Sequence, residues 1–426
     1  MNYPQALDYL YNSLPMFQRV GAAAFNKNLD KTRQLCTALN HPESSFKSVH
    51  IAGTNGKGSS AHSIAAILQC AGYKTGLYTS PHLKSFTERI RIDGIKIGEE
   101  AVVNFVNKYR PVLEQLKPSF FETTVAMAFD YFANEQVDIA VIEVGMGGRL
   151  DSTNIITPEV CLITQIGFDH QQYLGQTLEK ISREKAGIIK KGVPVVLGEL
   201  NEKLLPTFIQ KVAKKNSELI RTSDYKVEKR QTEVIKIDVI APHKTYLDLT
   251  IGITGEYYLQ NLPGIMETIH QLKSKGFNIN ERTIRDGLAN VVTLTGLKGR
   301  WQVLNSKPLT ICDVGHNEAG IGSVVQQILK TPHQILHFVL GTVNDKKLDP
   351  ILDILPKSAT YYFTQAKIPR AQDANELSRL ASSFGLKGEI IPNVKEAIQR
   401  AREKAGEDDL IFIGGSSFVV AEIDGL

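Results

Sequence analysis

Short apolar runs alternate along this chain with segments of helical period, the pattern of α/β architecture around a mostly parallel sheet. Ser48 to Ala52 predicts a buried strand, followed by a glycine-rich turn and a helix from Ser60 to Cys70. Val137 to Val144, Val160 to Ile166 and Val193 to Leu197 predict further strands, the first two running into polar loops. Residues 201 to 252 mix β-like pieces (TEVIKIDVI, YLDLTIGI) with polar breaks and predict antiparallel strands added to the first domain. A helix is expected from about Leu259 to Lys275, and Thr293 to Gly299 has the composition of a linker. The alternation then restarts, with strands at Thr310–Asp313, Ile335–Leu340, Thr360–Thr364 and Leu410–Ile413. The expected organisation is an N-terminal P-loop ATPase-like domain over residues 1–296 and a smaller Rossmann-like α/β domain over 299–426.

Composition narrows the function classes. The 426 residues are 42% hydrophobic and 22% charged, ordinary for a globular chain of two or three domains. A net charge of +4 is small for this length and argues against nucleic acid as the main partner. No apolar run approaches about 18 residues, and Met1 to Leu14 has no basic region, apolar run and cleavage site in series. A cytoplasmic location is therefore expected. The four cysteines, Cys36, Cys70, Cys161 and Cys312, form no CxxC pair and read as reduced core thiols.

Candidate chemistry begins at Gly53-Thr54-Asn55-Gly56-Lys57-Gly58-Ser59, set between a strand and a helix. Glycines let backbone N–H groups wrap an anion, a lysine reaches terminal phosphates, and a helix N-terminus favours negative charge. The standard Walker spacing is not met: Ile51 stands where its first glycine would be, and Gly58 separates Lys57 from Ser59. Glu143 ends an apolar strand, where a carboxylate is costly unless paired or bound to a cation such as Mg²⁺. Gly145 to Asn154 fails the GxGxxG test for a dinucleotide site, because Arg149 and Leu150 follow the glycines. Asp169-His170 also lies at a strand end; Lys185 sits in a helical REKAG run that would ordinarily be a solvated face. Later in the chain, Arg300 follows the linker and Asp313-Val-Gly-His316-Asn follows a strand. The phosphate loop is the strongest of these signals, and Glu143 favours a cation; His170, Lys185, Arg300 and Asp313 taken alone read more simply as structural residues.

Together the stretches resemble one family closely. HIAGTNGKGSS (50–60), YTSPHLKSFTERIRIDG (78–94), VIEVGMGGRLDSTNI (141–155), ITQIGFDHQQYLG (163–175), REKAGIIKKGVPVV (183–196), LKGRWQVL (297–304), DVGHNEAG (313–320), GTVNDKKL (341–348) and GGSSF (414–418) resemble the bifunctional dihydrofolate synthase/folylpolyglutamate synthase family, within the Mur ligase superfamily. The resemblance implies that Gly53 to Ser59 cradle ATP phosphates and that Ser80, Glu143 and His170 hold magnesium. It implies a carbamylated Lys185, nucleotide contacts from Asn261, Arg300 and Asp313, and His316 lining the cleft. Lys57, His170, Lys185 and His316 are the catalytic candidates, and Pro81, His82 and Asp151 the pterin-binding ones. Departures are slight: Gly315 stands where the family often has Ala, and Lys298 where it often has Pro or Ala.

The implied reaction is ATP-dependent amide formation between L-glutamate and dihydropteroate, or the γ-carboxylate of a folate, through an acyl phosphate, in a monomer. A folylpolyglutamate synthase alone is the near alternative. A Mur-type cell-wall ligase would carry an extra N-terminal domain, for which the 52 residues before Gly53 are too few. A P-loop switch or dead ATP-binding module would lack Arg300 and Asp313, or have lost Lys57, Glu143 or His170.

Overall fold

The computed structural model describes residues 1–16, 28–230, 235–344 and 347–426. The start of the TEVIKIDVI strand prediction and the centre of the GTVNDKKL motif lie outside the described residues. The chain forms two compact units, one of Met1–Gly252 with Leu259–Gly296 and one of Ile253–Tyr258 with Leu297–Leu426.

The first unit is built on an eight-stranded sheet, in the order β4-β3-β2-β5-β1-β6-β7-β8. Its strands are β1 (Lys47–Ala52), β2 (Thr75–Tyr78), β3 (Ile90–Ile92), β4 (Ile95–Lys96), β5 (Ile139–Glu143), β6 (Val160–Ile163), β7 (Val195–Leu197) and β8 (Leu219–Arg221). All neighbours pair in parallel except the β2–β3 and β3–β4 pairs at one edge. That hairpin turns on Asp93 and Gly94, both with positive φ, the requirement of a tight two-residue turn. The central strands are buried along their whole length, as continuous apolar runs must be when both sheet faces are covered. Register then aligns their ends: Ile51 pairs with Glu143, and Ala52 with Ile163. The loops after β1, β5 and β6, which carry most of the candidate residues, therefore leave the sheet side by side.

Three expectations need correcting. The helix after β1 starts at Lys57, inside the glycine-rich run and not at Ser60. The strands of residues 201–252 are not simply added to the main sheet. Only β8 joins it, in parallel, whereas β9 (Lys226–Lys229), β10 (Lys236–Ile240) and β11 (Thr245–Thr250) form their own antiparallel sheet. The burial of β10 and β11 alternates with exposure, so they suit a sheet with one wet face and not the doubly covered one. Finally, Thr293 to Thr295 of the expected linker are helical, ending the helix Val291–Thr295, and the chain turns afterwards on Gly296 and Gly299.

The second unit has a six-stranded sheet ordered β12-β13-β17-β14-β15-β16. These are Gln302–Ser306, Leu309–Cys312, Leu336–Leu340, Thr360–Gln365, Lys387–Asn393 and Leu410–Gly414 for β12 to β17 in turn. Only β12 runs antiparallel to its neighbour. A core of Ile311, Phe338, Tyr361, Phe363 and Phe412 with the helix residues Ile321, Val324 and Ile328 covers the sheet.

Candidate functional site

Residues 53–56 leave β1 and run directly into the helix Lys57–Cys70, with Gly56 as its N-cap at φ +85°. The N–H groups of the first turn of a helix have no partners within it, and the backbone dipole makes this end attractive to anions. Two glycines are required by space as much as by φ. A Cβ on Gly53 would collide with the Thr164 hydroxyl, and one on Gly56 with the Asn261 side-chain carbonyl. Replacing Gly56 with Ala should therefore lower both thermal stability and ATP affinity; a variant with wild-type melting temperature and KM for ATP would contradict this account.

The loop is moored to the end of β6. Thr54 N–H donates to the Gln165 carbonyl at 2.7 Å, and the Thr164 hydroxyl donates to the Asn55 carbonyl at 2.6 Å. Thr54 Oγ1 donates to the Gly167 carbonyl and accepts the Gly167 N–H, both at 3.0 Å. Thr164 and Gln165 were invisible as site residues in the sequence, since nothing in ITQIG marks them as supports for a loop more than 100 residues earlier.

Two ammonium groups converge on one carbonyl. Lys57 Nζ donates to the Gly53 and Thr54 carbonyls at 3.2 and 3.1 Å. Lys185 Nζ, at the end of the helix Leu178–Lys185 and 3% exposed, donates to the same Gly53 carbonyl at 2.7 Å. Burial, and then the charge of Lys57, push Lys185 down to about 7, against the opposing pull of Asp169 and Asp151. The helix lysine that the sequence would leave in solvent is thus buried and half-neutral near pH 7.

Beside the loop, the buried carboxylate of Glu143 accepts the Ser80 N–H at 3.0 Å. His170 has a left-handed backbone, φ +49°, and donates its N–H to its neighbour Asp169 at 2.8 Å. Among the described residues no group of three or more His, Cys, Asp or Glu is gathered as a metal cage. Magnesium needs none: it takes one or two protein oxygens and fills its shell with phosphate and water. A strand-end carboxylate anchored against Ser80, with a second oxygen donor in that serine's hydroxyl, fits such an ion.

The pterin candidates divide. Pro81 is exposed, and His82 packs between Tyr11 and Phe86, with both ring centroids at 6.4 Å. Burial, and then the charge of Arg89, hold His82 down to about 3, so it is neutral at working pH. Asp151 commits its carboxylate to the loop itself. Oδ2 accepts Met146 N–H at 2.9 Å, while Oδ1 accepts Thr153 N–H at 3.1 Å and the Thr153 hydroxyl at 2.5 Å. His50 Nε2 lies 2.9 Å from that hydroxyl. Since Thr153 spends its proton on Asp151, His50 donates. Burial raises the Asp151 pKa against these hydrogen bonds. A network of this kind fixes the shape of the loop from Gly145 to Asn154.

In the second unit, Asp313 is 3% exposed at the end of β13. It accepts the Trp301 and Gly315 N–H groups, each at 2.7 Å, and the Tyr257 hydroxyl at 2.5 Å. Arg300 adds a favourable charge, yet burial still raises the carboxyl's pKa. His316 donates Nδ1–H to the Val314 carbonyl at 3.0 Å, so Nε2 is the ring nitrogen left to exchange a proton. Tyr257 could not be read as a site residue, because a tyrosine in GEYYLQN carries no spacing signal. Tyr257→Phe should lower stability by about 1–3 kcal/mol by removing one donor to a buried carboxylate. Thermal unfolding checks this, and a wild-type melting temperature would refute it.

Each unit thus sets a buried acid at a strand end, next to a loop opening onto a helix, as nucleotide-handling ligases of two α/β units do. Two family models fit these units: the Mur ligase middle domain matches residues 51–266, and the Mur ligase glutamate ligase domain matches residues 299–417. The chain is 34% identical over 388 residues to the folylpolyglutamate synthase of Lacticaseibacillus casei, covering 87% of each. It is 30% identical over 409 residues to the dihydrofolate synthase/folylpolyglutamate synthase of Bacillus subtilis, covering 93% of this chain and 94% of the relative. Among solved structures, Escherichia coli FolC in complex with DHPP and ADP superposes with a TM-score of 0.87 at 27% identity, covering 99% of this chain and 96% of that one. The chain belongs to the dihydrofolate synthase/folylpolyglutamate synthase family of Mur ligases. No helix among the described residues is long and apolar enough to cross a membrane.

Proposed function

We propose that this chain uses ATP with magnesium to join L-glutamate to dihydropteroate and to the γ-carboxylate of folates, releasing ADP and phosphate. The observation that carries the reading is Lys57 on the Gly53 carbonyl, with the buried Lys185 amine on the same carbonyl, at the mouth of a helix N-terminus and beside a buried strand-end carboxylate. Catalysis of phosphoryl transfer is mostly positioning and charge stabilisation, and these are the groups it requires.

In this mechanism the N–H groups of residues 56–59 and Lys57 hold the γ-phosphoryl group, and Asn261, Arg300 and Asp313 hold the rest of the nucleotide. The pterin-borne carboxylate oxygen attacks the γ-phosphorus, the bond to the β-phosphate oxygen breaks, and ADP leaves. The glutamate amine then attacks the acyl-phosphate carbon; the C–O bond breaks, inorganic phosphate departs, and one amine proton is lost. Ser80, Glu143 and His170 would hold magnesium, which when bound neutralises charge on the phosphate oxygens. Carbamylated Lys185 would supply a further anionic ligand, and His316 Nε2 is a basic atom suited to the amine's proton. Pro81, His82 and the loop shaped by Asp151 receive the pterin. A monomer acting on small-molecule substrates in the cytoplasm is the form proposed for this reaction.

The test is phosphate release from ATP with Mg²⁺ and glutamate, run in parallel with dihydropteroate and with tetrahydrofolate. Release that needs both glutamate and either pterin supports the bifunctional reading. Release with tetrahydrofolate alone restricts it to chain extension, the activity named for the Lacticaseibacillus relative. No pterin-dependent release from folded, ATP-binding protein would defeat both.

A further inference from the structure

Arg89 is 3% exposed, and Glu143 is the weakest of the groups that act on its charge, behind Tyr78 and Tyr11. A buried cation costs several kcal/mol unless something compensates for the lost water. The compensation here is unusual in kind. The guanidinium carbon lies 5.2 Å from the centroid of the Phe120 ring, Tyr78 and Tyr11 flank it, and Glu143 acts on it only at longer range. Its Nε–H donates to Nδ1 of His82 at 2.8 Å.

That hydrogen bond has a consequence for the histidine. A guanidinium has five donors and no acceptor, and it keeps its charge. The Nδ1 of His82 must therefore be the bare nitrogen, and the neutral ring carries its proton on Nε2. Neutral imidazole in water is free to choose between tautomers. Here the choice is made by a charge that cannot move, with Tyr11 and Phe86 fixing the ring. The hydrogen bond seen at this ring among the described residues is the one at Nδ1.

We propose that Arg89 is a positioning residue that locks His82 in its Nε2–H tautomer, so that His82 presents a donor to a carbonyl oxygen or ring nitrogen of the heterocyclic substrate. The inference rests on the reading of His82 as a pterin-binding residue and adds which atom binds, with what polarity, and why. It also accounts for an arginine buried among aromatic rings where a leucine would pack without desolvation cost.

The test is a double-mutant cycle on KM for the pterin substrate, read together with the His82 tautomer from ¹⁵N–¹H correlations of labelled protein. Arg89→Met keeps the length and removes the donor. It should raise KM about two- to threefold, because a binding-competent tautomer that falls to a half or a third of the population weakens apparent affinity by that fraction, with kcat unchanged within error. The His82 signals should shift from the Nε2–H form alone to a mixture. Arg89→Lys, which retains a charged donor, should recover most of the effect. His82→Gln places an amide N–H where Nε2–H was and has no tautomer to control. In that background Arg89→Met should leave KM unchanged within error.

An equal loss from Arg89→Met in both backgrounds would overturn the proposal and make Arg89 a packing residue only. A wild-type His82 protonated on Nδ1 would overturn it also. Failure of the underlying reading looks different: His82→Ala would then leave the pterin KM unchanged even though the tautomer is fixed as expected. Should Arg89→Met not fold, the His82 tautomer of the wild-type protein still decides: protonation on Nε2 supports the lock and protonation on Nδ1 overturns it.

Discussion

Lys57→Met should lower kcat by roughly 10²–10³-fold, the effect of removing one charged group aimed at a transferring phosphoryl. In the structure this ammonium rests on the carbonyls of Gly53 and Thr54, within the loop it serves. Those two hydrogen bonds hold the ammonium on the glycine-rich loop itself. KM for ATP should rise far less than kcat falls, because the charge on the phosphoryl oxygens is redistributed most in the transition state. Single-turnover phosphate release with dihydropteroate separates the chemical step from product release. A loss below about threefold would remove Lys57 from the catalytic set.

Lys185→Met carries the second large expectation, and it has two parts of opposite sign. Activity should fall by roughly 100-fold or more, as when a group that supports a metal site is removed. Stability should rise. Burial and Lys57 hold Lys185 at about 7, below the ordinary 10.5, so the unfolded chain binds this proton more readily than the folded one between those values. The bare lysine therefore costs stability in full below pH 7, and the cost fades as pH climbs towards 10.5. In carbonate-free buffer at pH 6 the methionine variant should melt a few degrees higher, a gain that shrinks by pH 9. Differential scanning calorimetry at the two pH values measures it, and a lower melting temperature at pH 6 would contradict the burial argument.

The same depressed pKa explains how this lysine could be modified. Its neutral amine attacks CO₂, a nitrogen–carbon bond forms, and one proton leaves to solvent. Carbamate occupancy should then rise as pH passes upward through about 7 and collapse below it. Carbon-13 NMR of the enzyme in labelled bicarbonate with ATP follows this directly. A bare amine at pH 8 under those conditions would end the carbamate proposal without touching the stability prediction.

Much of the fold is legible along the chain because its central strands are buried on both faces. Such strands must be continuous apolar runs, and β1, β5, β6 and β14 stand out from their surroundings for that reason. The half-exposed strands β9 to β11 lack that mark, and their separation from the main sheet could not be read. The helix start at Lys57 was hidden as well. Glycine weakens helix propensity, whereas here Gly56 at φ +85° is what caps the helix.

The local sequence determined the phosphate loop, since glycines, a lysine and a strand–helix context are adjacent in the chain and carry their chemistry with them. Motifs read in order along nearly the whole length determined the family. What only the tertiary structure decided were the partnerships between distant segments: Lys185 with Gly53, Ser80 with Glu143, Arg89 with His82 and Tyr257 with Asp313. Each changes the chemistry of a side chain through burial or through a hydrogen bond from another segment, raising or lowering a proton's affinity or fixing where it sits. A lysine in REKAG reads as solvated by composition; it is half-neutral because the fold removes its water and sets it against another ammonium.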